Sequence, residues 1–265
     1  MKPQTLIIQA HGTNRDYDVA EALTLAGADP HPVPLNDLRA GKKRFADYQM
    51  LVVAGGFSYA DSLGAGKLLA LDLNSYFNEE ISAFVESGKP VIGICNGFQA
   101  LVKSGILPGE SPSPGGRGAR GEGATLTFNQ QGHFECRWVT LKPVSQHCIW
   151  TKDLKTIIEC PVAHGEGNFQ INNQQPITNY LSPDQIALTY VHPDGSPANG
   201  EYPANPNGSM LDIAGICNPQ GNVLGLMPHP ENHIYPHQHP QWTRGVKGNS
   251  GLALFKNGVR YASQV

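Results

Sequence analysis

Val91-Ile92-Gly93-Ile94-Cys95-Asn96-Gly97-Phe98-Gln99 is the stretch on which the fold turns. Its first half is apolar without alternation, which suits a central parallel strand covered on both faces. Its second half begins a helical pattern. The junction reads Gly-x-Cys-x-Gly, the pattern of a tight strand-to-helix turn that lifts one nucleophilic side chain above a sheet edge. Working back toward the N-terminus, residues 50–54 (Met-Leu-Val-Val-Ala) form a second unbroken apolar run ending in Gly55-Gly56. Leu6-Ile7-Ile8 forms a third, followed by a helical pattern over 16–26 with Val19, Leu23 and Ala26 on one face. Leu69, Leu73, Phe77, Ile81 and Phe84 recur at helical spacing and predict one long helix that stops at Gly88. This succession predicts an α/β fold, a doubly wound and mostly parallel sheet flanked by helices, with ligands at the carboxyl ends of its strands.

Working forward, residues 108–123 are dominated by Gly and Pro and read as a solvated loop. Beyond them the texture is β-like at 125–128, 134–141, 156–159, 186–191, 213–216 and 223–227, which predicts β-hairpin additions. A helical pattern closes the chain at Leu252, Phe255, Val259 and Ala262. No internal repeat is present, and residues 1–265 are expected to form a single domain.

The chemistry follows from position. A helix starting after Cys95 aims backbone N–H groups and its positive end at the sulfur, which favours thiolate. The Asn96 N–H can receive a developing oxyanion, and Gly55-Gly56, ending the neighbouring strand, can bring a second donor. A thiol needs a base and the base needs an orienting group. Met227-Pro228-His229-Pro230-Glu231 follows an apolar strand, and Pro230 disfavours the α conformation at His229, so the tripeptide is expected to be extended. In extended chain, His229 and Glu231 point the same way. The blander readings are a buried structural cysteine and a surface His-Glu pair in a Pro-rich turn. Neither explains why both motifs close apolar strands. His229, His233, His237 and His239 raise the question of a metal. However, His-Pro-Glu-Asn-His displaces the Glu of the zincin motif, and Pro230, Pro236 and Pro240 oppose the helix it needs. No metal is expected.

Composition excludes other classes. Net charge is −3 with no basic run beyond Lys42-Lys43-Arg44, so no nucleic-acid partner is expected. No apolar stretch approaches the roughly 20 residues that span a bilayer, and no signal peptide is evident. Five cysteines without a Cys-x-x-Cys pair suit a cytoplasmic protein with reduced thiols. Charged residues make up only 15%, with 30 Gly and 21 Pro, a composition of short elements and structured loops.

Taken with Gly55-Gly56-Phe57-Ser58-Tyr59-Ala60-Asp61, Ala163-His164-Gly165-Glu166-Gly167-Asn168-Phe169, the segment 202–209 and Leu224-Gly225-Leu226-Met227-Pro228-His229-Pro230-Glu231, the elbow segment resembles the class I (triad) glutamine amidotransferases. Within that class the sequence is similar to the PurQ-type glutaminase subunits of phosphoribosylformylglycinamidine synthase, over nearly the whole chain. The resemblance implies hydrolysis of glutamine to glutamate and ammonia. Cys95 would be the nucleophile, His229 the base and Glu231 its support; Gly56 and Asn96 would form the oxyanion hole. Gln99, His164, Gly165 and Glu166 would bind substrate. It also implies a larger PurL-type synthetase and a small PurS-type bridging subunit as partners. The synthetase would use the ammonia, with ATP and Mg, to convert formylglycinamide ribonucleotide to formylglycinamidine ribonucleotide in purine biosynthesis. No cofactor is expected in this chain, which has no Gly-x-x-x-x-Gly-Lys phosphate loop. The alternatives are a triad amidase of the same fold with another amide substrate, or a non-catalytic regulatory module. Two departures stand out: the family usually carries Arg after His-Pro-Glu, where Asn232 stands here before a long insert (233–248), and its link after Leu-Pro-Gly is shorter than 108–123.

Overall fold

The computed structural model describes residues 1–109, 123–171, 178, 180–248 and 250–265; most of the 108–123 loop lies outside them. Nine strands form one sheet: β1 (Gln4–Gln9), β2 (Asp29–Pro34), β3 (Met50–Val53), β4 (Val91–Ile94), β6 (Glu135–Pro143), β7 (Ile158–His164), β9 (Ile186–Val191), β10 (Ile213–Cys217) and β11 (Val223–Leu226). Their order is β2-β1-β3-β4-β11-β10-β9-β6-β7. The pairs from β2 to β11 are parallel, and the rest antiparallel. The β-rich second half therefore prolongs the parallel sheet. β5 (Ala124–Thr127) and β8 (Asn168–Ile171) form a separate antiparallel pair.

The helices are α1 (Asp16–Ala26), α2 (Leu35–Arg39), α3 (Lys67–Tyr76), α4 (Asn78–Glu86), α5 (Asn96–Lys103) and α6 (Leu252–Ala262). α1 packs with α6, and α3 with α5. The chain steps one way from β1 to β2 and the other way from β3 to β4. Right-handed crossovers then place α1 and α3 on opposite faces of the sheet. That reversal opens a crevice where the loops after β1 and β3 part. Every residue of β3, β4, β10 and β11 is buried, which is why those strands read as unbroken apolar runs. Among the described residues no helix is long and apolar enough to cross a membrane.

The short α2 and β8 were not expected from the sequence, and two further elements differ from its reading. The helix expected through Leu69 to Phe84 breaks at Phe77, whose φ of −134° and ψ of 14° end α3 and start α4. Phe77 is buried and its ring centroid lies 5.4 Å from that of Phe45. The break lets the ring enter the core, and Glu79 and Glu80 then fall in the first turn of α4, where the helix dipole favours them. β2 escaped notice because Pro30, Pro32 and Pro34 interrupt it. It is an edge strand whose Asp29 N–H donates to Pro3 (2.9 Å). The alternation places the proline nitrogens on the side away from β1, where no hydrogen bond is required.

The elbow rests on a close approach. A Cβ on Gly97 would stand 1.8 Å from the Val53 carbonyl oxygen at the end of β3, and one on Gly93 would stand 2.9 Å from Gly97 backbone. Only glycine lets α5 start this close to the sheet. Gly97→Ala is expected to lower stability by about 1–3 kcal/mol through overpacking. Gly165→Ala, whose added Cβ meets nothing nearer than 3.8 Å, should change it by less than about 0.5 kcal/mol. Urea denaturation checks both, and equal stabilities would contradict the close-packing account.

Candidate active site

Cys95 sits between β4 and α5 with φ 52° and ψ −106°, a conformation that side chains rarely adopt. Its N–H donates to the Leu226 carbonyl at the end of β11 (2.8 Å), and its own carbonyl accepts from Gln99 at 3.0 Å. The residue is thus clamped from both sides, which is how such strain persists. The thiol faces the Ala163 carbonyl of β7 at 3.6 Å.

β11 is the parallel neighbour of β4, with Leu226 opposite Ile94. The chains leaving both strands therefore emerge side by side, Cys95 one residue after β4 and His229 three after β11. The His229 N–H donates to Pro161 of β7 (2.8 Å), and its Nδ1 lies 2.6 Å from Glu231 Oε1. Both side chains are buried. The His-Pro-Glu segment is not extended throughout, as the sequence suggested. His229 is non-helical (φ −107°, ψ 82°), but Pro230–Asn232 form a 3-10 turn, with proline at the first position, where its missing N–H costs nothing. The same pair closes by a tighter path. Among the described residues Glu231 Oε2 is buried without a hydrogen-bond partner.

Burial is the largest influence on His229 and opposes its charged form. The Glu231 carboxylate, then Cys95 by charge and hydrogen bond, together outweigh it and hold the imidazole well above its ordinary range. His164, by contrast, is pushed down to about 4, first by burial and then by the charge of His229. Of the two neighbouring histidines, one is built to carry a proton and the other to stay neutral.

A cavity of about 340 Å³ lies over the thiol, lined by Asn14, Arg15, Gly56, Phe57, Cys95, Phe134, Ala163 and His229. It is the crevice at the strand-order reversal. Gly55 and Gly56 are required here for space: a Cβ on Gly55 would stand 2.9 Å from the His229 ring, and one on Gly56 (φ 139°) 2.7 Å from the Asn14 nitrogen. Asn96 opens α5, where an amide has no acceptor within the helix. Its side chain accepts from Ser58 N–H (3.2 Å) and donates to Asp61 (3.0 Å) and Gln99 (3.0 Å), tying the loop after β3 to the elbow.

Cys95, Gly56 and His229 thus meet at one cavity, with Glu231 directly behind His229. Gln99, His164, Gly165 and Glu166 do not line it. Gln99 Nε2 donates to the Glu166 carbonyl (2.7 Å), and the Glu166 carboxylate accepts from Ala65 N–H (3.2 Å) and pairs with Lys103 (3.3 Å). His164 Nδ1 is 3.1 Å from Asn129 Oδ1. Sequence reasoning missed Asn14, Arg15, Phe57, Phe134 and Ala163. Asn14 and Arg15 were within its reach, since they follow the first parallel strand as Gly56 follows another. Ala163 and Phe134 arrive through long-range antiparallel pairing, which carries no local signal. The histidines of the insert serve packing: His233 and His239 stand edge-on to Trp138, centroids 5.1 and 4.8 Å away. Among the described residues no three His, Cys, Asp or Glu side chains are grouped to hold a metal ion.

The doubly wound sheet thus carries a buried cysteine at a strand-helix elbow, near a histidine held by glutamate, the side-chain set that cysteine-dependent acyl transfer requires. Residues 2–262 match the CobB/CobQ-like glutamine amidotransferase domain, and the chain belongs to that family. It is 54% identical over 270 residues to the phosphoribosylformylglycinamidine synthase subunit PurQ of Treponema denticola, covering 98% of this chain and 99% of that one. It is 42% identical to the PurQ subunit of Dehalococcoides mccartyi, over 100% and 99%. A chain in the structure of PurLQS from Thermotoga maritima superposes with a TM-score of 0.73 at 30% identity, covering 98% of this chain and 99% of that one.

A pH prediction follows from the pair. A folded-state value raised above the unfolded one contributes stability that is full below about pH 6.5 and is lost as pH rises through the folded value. Glu231→Gln removes the main raising influence and leaves burial opposed by Cys95. The His229 midpoint should fall by more than about one unit, and the alkaline loss of stability should flatten. An NMR titration of the imidazole checks this; an unmoved midpoint would contradict the assignment.

Proposed function

We infer that this chain is the glutaminase subunit of a phosphoribosylformylglycinamidine synthase. The observation that carries the reading is the meeting of Cys95 and His229 at one cavity, with Glu231 bound to the back of the His229 ring, in a member of this family. In the proposed reaction Cys95 Sγ attacks the side-chain amide carbon of glutamine. An imidazolium at His229 stabilises the sulfur anion and then delivers its proton to the departing ammonia, while Glu231 fixes the ring through Nδ1. The amide oxygen becomes an oxyanion against the N–H groups of Gly56 and Asn96; such a donor is worth about 10²–10³ in rate. Water, deprotonated by His229, then cleaves the glutamyl thioester to glutamate. Gln99, His164, Gly165 and Glu166 are proposed to act on substrate through their neighbours, by bracing Ala163 and the loop after β3.

The ammonia passes to a PurL-type synthetase, with a PurS-type subunit bridging the two. The synthetase uses ATP and Mg to convert formylglycinamide ribonucleotide to formylglycinamidine ribonucleotide, and this chain needs no cofactor of its own. Five free cysteines suit a cytoplasmic setting.

Cys95→Ala tests the division of labour. In the assembled complex it should abolish glutamine-dependent amidination, leave assembly intact and leave amidination driven by added ammonium salt within about threefold of wild type. Retained glutamine-dependent activity would overturn the role of Cys95.

A further inference from the structure

Among the described residues lining the cavity, Arg15 carries the one permanent charge, and none is an acid. It precedes α1 at the N-cap position, where it makes no capping hydrogen bond. A cation is disfavoured at a helix N-terminus and Ser, Thr, Asp or Asn are preferred there, so helix stability does not account for it. Its stem and the His229 ring both border the space over Gly55: the point where a Gly55 Cβ would stand is 2.9 Å from His229 Cε1 and 3.5 Å from Arg15 Cγ. Its Nη1 donates to Asp18 Oδ2 (2.9 Å), which also accepts from Asn232 at 3.2 Å. Among the described residues that contact engages one of the five N–H groups of the guanidinium. The side chain lines the cavity and is 39% exposed, so it is not shut off from solutes there.

Glutamine carries its α-carboxylate about 5 Å from its neutral amide carbon, by bond lengths of about 1.5 Å. A cavity lined by both Cys95 and Arg15 can present the thiol to the amide and the arginine fork to the carboxylate of one molecule. We propose that Arg15 is the specificity-determining residue for the α-carboxylate of the substrate, with Asp18 and Asn232 anchoring the guanidinium at the cavity wall. The contact would select a free amino acid over amides within peptides or uncharged analogues. This rests on the glutaminase reading.

The test uses the reconstituted complex and two substrates, L-glutamine and its α-amide, glutaminamide, which lacks the carboxylate. Wild type should favour glutamine in kcat/KM. Arg15→Met should raise the glutamine KM by about 10- to 100-fold, the worth of a charged hydrogen bond, with kcat within about threefold. It should leave glutaminamide kinetics unchanged, so that the preference collapses; Arg15→Lys should restore part of it. The Arg15–Asp18 pair is exposed and its loss should scarcely affect folding, which thermal unfolding verifies. An Arg15→Met complex that still discriminates as wild type does overturns the assignment of Arg15 alone. A wild-type complex that releases no ammonia from glutamine overturns the glutaminase reading, and this inference with it.

Discussion

The site depends on one contact, the seating of the first turn of α5 against the carboxyl end of β3, where Gly97 leaves no room for a side chain beside the Val53 carbonyl. A helix that starts this close to its own sheet cannot be entered through ordinary backbone angles. The chain turns at Cys95 with φ 52°, and the residue, though buried, lines the cavity at the sheet edge. From the same seating, Asn96 falls at the helix start and its side chain reaches Ser58 and Asp61. The loop that carries Gly56 is thereby registered against the nucleophile. Strain of about 1–3 kcal/mol at such a residue is tolerated because backbone hydrogen bonds on both sides hold it.

The second half of the site uses the parallel sheet as a ruler. β4 and β11 are neighbours in register, so their ends deliver Cys95 and His229 to one edge with only short loops. Burying His229 and Glu231 is costly unless they are paired, and breaking such a pair costs about 3–5 kcal/mol. Among the described residues the one hydrogen bond of the Glu231 carboxylate is the 2.6 Å contact to the His229 ring. The neutrality of neighbouring His164 fits the same economy, since two imidazolium ions so close would repel.

Most of this was legible in local sequence because strand ends and elbows are local events. Gly93 and Gly97 bracket Cys95 and announce the turn there, whereas Pro230 keeps His229 out of the helix but did not reveal the 3-10 turn of 230–232 that closes the pair. What sequence could not convey is what arrives across the sheet: Ala163 and Phe134 enter the cavity by pairing of β6 and β7, and the Phe77 break reflects a partner ring, Phe45, about thirty positions upstream. β2 was hidden by its prolines, whose tolerance is set by the edge position and not by their identity. Arg15 stood in plain view after the first strand, yet only the cavity gives its charge a meaning. The histidine-rich insert drew attention for chemistry and serves packing on Trp138.

The central claim is that the elbow makes Cys95, though buried, the reactive thiol toward glutamine, while Cys136 is the exposed one. Treatment of the complex with a glutamine-derived electrophile, followed by peptide mass spectrometry, separates geometry from exposure. The account predicts one adduct, on Cys95, prevented by excess glutamine, whereas a generic alkylating agent reaches Cys136. An adduct of the glutamine-derived reagent on Cys136, Cys148, Cys160 or Cys217, with Cys95 unmodified, would contradict it.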